Sequence, residues 1–212
     1  MVVRLDAGDP VELERAAEML AAGMVVAIPT DTVYGLAVDP SQPGGIARIF
    51  GLKRRPSEMA LPVLVAGWDQ VEAVAGSLEP AAQELADRFW PGPLTLVVPR
   101  APGFGADLGG PPEADRTVGV RWPDHTAVRA LCAVVGPLAV TSANRHGKPP
   151  ATLAQEVISV FSVDDRLSAV VDGGVCDGVP STVVECEGEE SRCLRRGGIP
   201  WSGPMKSLEA PG

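Results

Sequence analysis

Residues 29–36 carry the group of side chains best suited to hold a polar ligand. They read Pro-Thr-Asp-Thr-Val-Tyr-Gly-Leu and follow directly on the apolar run 24–28. A buried strand that ends in an exposed polar turn presents hydroxyls, a carboxylate and a phenol on a rigid support, and α/β proteins commonly bind ligands at such turns. The alternative is a plain exit from a strand, in which Asp31 makes a local side-chain turn and Gly35 supplies a positive φ angle.

Three further polar clusters stand beside apolar, strand-like runs. They are residues 53–56 (Lys-Arg-Arg-Pro), 141–144 (Thr-Ser-Ala-Asn) and 181–184 (Ser-Thr-Val-Val), with 194–198 (Leu-Arg-Arg-Gly-Gly) after the last. Together with residues 29–36, in one consistent order from about Val11 to about Gly198, they resemble the signature of the YrdC/Sua5 family. Members of that family are L-threonylcarbamoyladenylate synthases, which are nucleotidyltransferases, and this chain resembles their short, single-domain form.

The charged side chains of these clusters suit an adenylating enzyme. Attack on the α-phosphate of ATP builds negative charge on the phosphoryl oxygens and on the leaving pyrophosphate, and Lys53, Arg55 and Arg195 supply cations to balance it. We therefore expect Lys53 and Arg55 to be catalytic. Arg121 can hold the carboxylate of an amino acid by two parallel hydrogen bonds.

The resemblance implies the same division of the site between two substrates. The positions matched to threonine binding are Thr32, Arg121, Thr141 and Ser181. The positions assigned to ATP are Lys53, Arg55, Met59, Thr117, Ala143, Ala151 and Arg195, of which the two alanines can contribute only main-chain groups. Tyr34, Ser142 and Asn144 lie within the matching motifs and are further candidates.

The reaction that the resemblance implies depends on positioning and charge. Threonine and bicarbonate give a carbamate, whose carboxylate attacks the α-phosphate of ATP to form threonylcarbamoyl-AMP and pyrophosphate. Mg²⁺, held mainly by phosphate oxygens and water, completes the neutralisation, and we expect no metal site in the protein itself. The threonylcarbamoyl group is then passed to adenosine in tRNA by tRNA threonylcarbamoyl transferase proteins.

Two positions depart from the family pattern. Met59 stands where Asn or Lys is usual, and Leu64 stands where many members have His. Neither side chain can make the polar contact of the residue it replaces, and each loss costs roughly 1 to 3 kcal/mol if no neighbour compensates. These departures make a divergent YciO-like member an alternative. Two further alternatives are an RNA-binding or ribosome-associated module and a carbamoyl-adenylate-handling domain of a larger carbamoyltransferase.

Composition limits the choice among these classes. The chain has 212 residues, of which 45% are hydrophobic and 4% aromatic, and its formal net charge is −9. An acidic chain with few aromatic side chains for bases to stack on is not typical of a dedicated RNA-binding protein, so any contact with tRNA is expected to be weak and local. The sequence lacks a membrane-length apolar run and a signal peptide, which predicts a cytoplasmic protein without membrane contact.

The succession of patterns predicts one α/β (α+β) domain over residues 1–200, with a frayed tail at 201–212. Strands and helices alternate irregularly, which favours a twisted mixed β-sheet with helices packed around it and a concave ligand site. Helices are predicted over residues 10–20, 45–52, 80–90, 125–134 and 152–161. Strands are predicted over residues 24–29, 61–65, 94–98, 117–121, 138–140, 169–172, 182–185 and 192–195. The Gly- and Pro-rich segment 101–116 is predicted to be a mobile loop over the site.

Overall fold

A computed structural model describes residues 2–53 and 59–203, apart from the side chain of Glu113. Ten strands form one mixed sheet within these residues, in the order β1-β8-β2-β3-β7-β4-β6-β5-β9-β10. The strands are Val3–Asp6 (β1), Val25–Ile28 (β2), Gly35–Val38 (β3), Val63–Leu64 (β4), Leu94–Pro99 (β5), Thr117–Arg121 (β6), Leu138–Ser142 (β7), Leu167–Asp172 (β8), Thr182–Glu187 (β9) and Glu190–Arg195 (β10). The neighbours β1–β8, β8–β2, β4–β6 and β5–β9 run parallel, and the other neighbours run antiparallel.

The described helices are Pro10–Ala21 (α1), Gly45–Lys53 (α2), Trp68–Ala75 (α3), Pro80–Phe89 (α4), Thr126–Val135 (α5) and Ala154–Phe161 (α6), with a 3-10 helix at Pro112–Arg116. The first helix begins as its sequence predicts, because the Asp9 carboxylate accepts a hydrogen bond from the Val11 amide at 2.9 Å and Pro10 needs no partner for an N–H. None of the helices in the described part of the chain is long and apolar enough to cross a membrane.

Helices cover the two faces of the sheet unequally. On the first face α2, α3, α4 and α6 pack over strands from both halves of the sheet, with Ile49, Val74, Ala86 and Phe161 in the shared core. On the second face α1 and α5 pack over β1, β8, β2, β3, β7 and β4. The second core contains no described side chain from β6, β5, β9 or β10.

Polar side chains, together with Val97, lie on the half of the second face that no described helix covers. Leu94, Leu96 and Val98 of β5 point into the first core, so the alternation of a strand places Thr95 on the opposite face. Val118 and Val120 of β6 also point into the first core, which places Thr117, Gly119 and Arg121 on the uncovered face. β6 is therefore a half-buried strand, over the residues 117–121 where the sequence predicts a strand.

The mixed α/β architecture is confirmed, and most predicted elements lie within two residues of their predicted bounds. β1, β3 and α3 are absent from the prediction, and β4 is shorter than the predicted strand 61–65. The helix predicted over residues 152–161 begins at Ala154, and Glu156 accepts hydrogen bonds from the Thr152 and Leu153 amides, at 2.7 and 3.3 Å.

The segment 101–116 is anchored to the first face. The Ala101 amide donates to the Val74 carbonyl at 3.0 Å, and the Leu61 amide donates to the carbonyl of the buried Leu108 at 2.9 Å. The segment is predicted to lie over the site, but it packs instead on the first face, and its mobility stays a prediction. The predicted tail falls mostly outside the described residues, although Trp201 is half-buried against the first core.

Candidate active site

The turn after β2 is buried, so the prediction of an exposed polar turn is wrong. Oγ1 of Thr30 accepts hydrogen bonds from the amides of Thr32 and Val33, both at 3.1 Å, and donates to the Val33 carbonyl at 2.7 Å. The Gly178 amide donates to the Thr32 carbonyl at 2.8 Å, which brings the chain after β8 over the turn. The turn is therefore preformed, and its side chains are held in fixed directions.

From the sequence we considered a positive φ angle as the reason for a glycine at position 35, but the structure shows another reason. Gly35 lies in β3 without a positive φ angle. A Cβ atom at this position would lie 2.5 Å from Cγ1 of Val140, on the neighbouring strand β7. Glycine is therefore required at position 35 by the close approach of β7.

Arg121 is the charged centre of the site. Its side chain is only 7% exposed. Nε donates to the Gly92 carbonyl at 3.1 Å, Nη1 donates to the Thr32 hydroxyl at 2.9 Å, and Nη2 donates to the Asp31 carboxylate. Burial lowers the pKa of Arg121, the Asp31 charge opposes that effect, and the charge of the nearby Arg195 adds to it. A guanidinium stays protonated through such shifts, so a fixed positive charge lies at the base of the site.

Arg195 supplies a second cation beside Arg121. Its Nη2 donates to the carbonyl and the hydroxyl of Ser181, at 2.8 and 3.0 Å. The Ser181 hydroxyl in turn lies 2.9 Å from that of Thr95. Burial lowers the pKa of Arg195. The structure thus brings the predicted residues Arg121, Ser181 and Arg195 into one neighbourhood.

Three residues of this neighbourhood are missing from the predicted site: Asp31, Gly92 and Thr95. The carboxylate of Asp31 is visible in the motif 29–36, and Thr95 is a polar residue between two leucines of an apolar strand. Gly92 acts through its carbonyl, which leaves no side-chain signal.

Lys53 forms a second cluster with two of the other candidates. It ends α2 and is 3% exposed. Nζ donates to the Ser142 carbonyl at 2.5 Å, to the Asn144 carbonyl at 3.0 Å and to Oδ1 of Asn144 at 3.1 Å. These charge-assisted hydrogen bonds fix the shape of the turn that follows β7.

The main chain of Tyr34 joins the turn after β2 to the turn after β7. Its amide donates to the Ala151 carbonyl at 2.9 Å, and its carbonyl accepts from the Ala143 amide at 2.7 Å. One main-chain group of each alanine is therefore already used within the protein. The Tyr34 hydroxyl donates to the Gly174 carbonyl at 2.9 Å, and burial raises its pKa to about 12.

The remaining predicted residues lie apart from these contacts. Among the described hydrogen bonds, none joins the side chain of Thr117 or Thr141 to Arg121; Thr141 is half-buried and pairs with Leu36 in β3. Met59 is 63% exposed, whereas Leu64 is buried in the second core. Arg55 lies outside the described residues.

This fold is that of a known class, and the chain belongs to the Sua5/YciO/YrdC family. The family model, which carries the description "Telomere recombination", matches residues 18–197. The family resemblance drawn from the sequence is thereby confirmed.

Particular relatives share most of this chain. The threonylcarbamoyl-AMP synthase of Bacillus subtilis (strain 168) is 39% identical over 202 residues, which cover 92% of this chain and 56% of the Bacillus protein. The structure of Pyrococcus abyssi Sua5 complexed with L-threonine matches with a TM-score of 0.82 at 34% identity, over 94% of this chain and 58% of that one. This chain thus spans just over half of both relatives.

Escherichia coli YciO is a further structural neighbour. It matches with a TM-score of 0.80 at 20% identity, over 93% of this chain and 95% of YciO. At that level of identity the likeness shows the common fold alone.

Proposed function

We propose that this chain is a threonylcarbamoyl-AMP synthase, a nucleotidyltransferase that uses L-threonine, bicarbonate and ATP. The observation that carries the proposal is the buried Arg121 guanidinium, held by Thr32 beside Arg195 and Ser181. It is supported by the identity of 39% to a relative named for this activity and by the likeness to a Sua5 structure with L-threonine bound.

In this proposal Arg121 binds the carboxylate of threonine. The hydroxyls of Thr32 and Ser181 lie within hydrogen-bond distance of Arg121 and Arg195, respectively, and supply polar contacts for the rest of the amino acid. Thr141 completes the proposed pocket from the end of β7. A pocket built to hydrogen-bond a hydroxyl rejects valine, because valine has the shape of threonine but leaves buried polar groups unpaired.

The proposed reaction has two steps. The amine of threonine, after losing a proton, attacks the carbon of bicarbonate, and a C–N bond forms as water leaves. A carboxylate oxygen of the resulting carbamate then attacks the α-phosphorus of ATP, and the bond between the α-phosphorus and the bridging oxygen breaks. Pyrophosphate leaves with that electron pair, and threonylcarbamoyl-AMP remains.

The ATP side of the site is assigned to Arg195, Lys53 and Arg55. Arg195 donates to Ser181 of the proposed threonine pocket, whereas Lys53 acts by shaping the turn 142–144 that borders the nucleotide. The other positions assigned to ATP in this proposal are Met59, Thr117, Ala143 and Ala151. Mg²⁺ would enter with ATP and neutralise phosphate charge, held by phosphate oxygens and water.

We also propose that the product passes to tRNA threonylcarbamoyl transferase proteins in the cytoplasm. The formal net charge of −9 disfavours a broad surface for tRNA on this chain. Transfer to tRNA is therefore assigned to those partners, and any direct contact with tRNA is weak.

The test is pyrophosphate release with bicarbonate, ATP and one amino acid at a time, with the product identified by mass. We expect threonine to support release best and serine less well, by roughly 1 to 2 kcal/mol for the missing methyl. Valine should stay near background. Arg121→Lys should lower release with threonine by at least about tenfold, because a lysine cannot reproduce the guanidinium fork.

Arg129→Lys is the matched control, since Arg129 pairs with the exposed Asp124 on the surface and is expected to leave release unchanged. Release with valine equal to that with threonine would contradict the proposed hydroxyl contacts. ATP binding without release for any amino acid would favour a divergent, non-synthase member of the family.

A further inference from the structure

The buried ion pair of Asp31 and Arg121 places an anion inside a site that also presents two cations. The two side chains are 14% and 7% exposed. The contacts of Arg121 with Gly92, Thr32 and Asp31 use one N–H on each of its three nitrogens. A guanidinium has five N–H groups, so one on Nη1 and one on Nη2 remain to receive a carboxylate while Asp31 stays in place.

The Asp31 carboxylate is only half satisfied. Oδ1 accepts from Arg121. Oδ2 is buried and has no hydrogen-bond partner among the described residues. A buried carboxylate oxygen without a donor is unfavourable, so a donor supplied by a ligand would be bound strongly at this position.

The charge on the ligand identifies which of its groups is that donor. Free threonine is a zwitterion at neutral pH, and its α-ammonium lies next to its α-carboxylate. A pocket formed by Arg121 and Arg195 alone would attract the carboxylate and repel the ammonium. His125 adds no cation at neutral pH, because burial lowers its pKa from 6.5.

We propose that Asp31 is a positioning residue that accepts the α-ammonium of threonine while Arg121 binds its carboxylate. The inference rests on the proposed function and names the group that selects a free amino acid over an acid without an amine. Arg121 and Asp31 together match the two charges of the zwitterion. Asp31 also keeps Arg121 in its fixed orientation.

The same carboxylate has a second effect after the amine has reacted. N-carboxylation replaces the ammonium by a neutral N–H and a carbamate anion. The Asp31 carboxylate attracts the neutral N–H and repels the carbamate anion, so the new carboxylate turns away from Asp31. The carbamate carboxylate then points towards the proposed phosphate-binding cations, where it must meet the α-phosphorus of ATP.

The experiment compares two ligands by calorimetry at pH 7, without ATP or bicarbonate. The first is L-threonine, and the second is 2,3-dihydroxybutanoate of the same configuration, in which a hydroxyl replaces the α-ammonium. We expect the wild type to prefer threonine by about tenfold or more, as for a charge-assisted hydrogen bond. Asp31→Asn should weaken threonine binding by about that factor and change binding of the analogue by less than about threefold.

Asp115→Asn is the matched control, since Asp115 also pairs with an arginine, Arg100, but is 69% exposed. It should leave both affinities unchanged. Asp31→Glu should restore part of the preference for threonine, which a purely structural role would not predict. The comparison of the two ligands on the wild type needs no variant, so it remains decisive if Asp31→Asn does not fold.

Equal binding of threonine and its analogue to the wild type would overturn the inference. Equal loss of both ligands in Asp31→Asn would also overturn it, because Asp31 would then act only by holding Arg121. In both cases the proposed synthase function would stand. A folded wild type that binds ATP but no threonine would overturn the proposed function as well.

Discussion

The Tyr34 hydroxyl makes partly buried hydrogen bonds whose loss can be measured directly. It donates to the Gly174 carbonyl at 2.9 Å and accepts from the Gly173 amide at 3.2 Å. Tyr34→Phe removes both bonds and changes the volume of the side chain little. Gly173 and Gly174 are exposed, so water can replace part of the loss, and we expect the free energy of unfolding to fall by about 1 kcal/mol.

The pH dependence gives a larger effect with a definite sign. Burial raises the pKa of Tyr34 from 10.0 to about 12, so the folded protein holds this proton more tightly than the unfolded chain does. The resulting stabilisation is complete below pH 10 and is lost as the pH rises from 10 towards 12. The difference corresponds to at most about 2.7 kcal/mol. Tyr34→Phe should lack this alkaline loss.

The assay is unusually direct because Tyr34 is the only tyrosine in the chain. Phenolate absorbance during a pH titration therefore reports on this one side chain, with circular dichroism to establish that the protein stays folded. A titration in urea supplies the unfolded reference near pH 10. Ionisation of Tyr34 near pH 10 in the folded protein would refute the reasoning. The affinity for threonine should be unchanged within about threefold in Tyr34→Phe.

Two further predictions concern stability. Burial lowers the pKa of His125 below 6.5; the charge of Arg129 lowers it further, whereas the charges of Asp31 and Asp124 raise it. The unfolded chain therefore binds a proton at His125 more readily than the folded protein does, so the free energy of unfolding should fall as the pH drops below 6.5. Urea unfolding at pH 7 and 5 should show this fall in the wild type and a smaller one in His125→Gln; equal falls would contradict it. Glu156→Ala should lower the melting temperature, because Glu156 accepts from two amides at the start of α6, whereas Gln155→Ala should not.

The sequence predicts an element well where local chemistry decides it. Asp9 and Pro10 mark the start of α1 at residue 10, where the sequence predicts it. The strand β3 has no such signal, because Gly35–Val38 is a short run buried on both faces and therefore shows no alternation. The order of the strands depends on contacts between distant segments, which no local pattern contains.

The residue types of the site follow from the sequence, but their partners do not. Arg121 is identifiable as a carboxylate binder, yet its pairing with Asp31 joins residues 90 positions apart. Lys53 is identifiable as a cation for phosphate, yet its ammonium donates to the carbonyls of Ser142 and Asn144. Both partners are set by how β6 and β7 lie in the sheet.

The unequal covering of the sheet explains why the charged residues of the site come from separated segments. Arg121 and Thr95 on this face are already buried, but against polar partners: Arg121 donates to Thr32 and Asp31, and Thr95 lies within hydrogen-bond distance of Ser181. A helix packed there through apolar side chains could not supply these hydrogen bonds. Without it, the turn after β2 reaches Arg121, and the end of β10 brings Arg195 to Ser181. Each partner therefore arrives from a strand end, where the chain is free to carry a polar side chain without disturbing the core. The polar site thus occupies the half of the second face on which the described part of the chain places no helix.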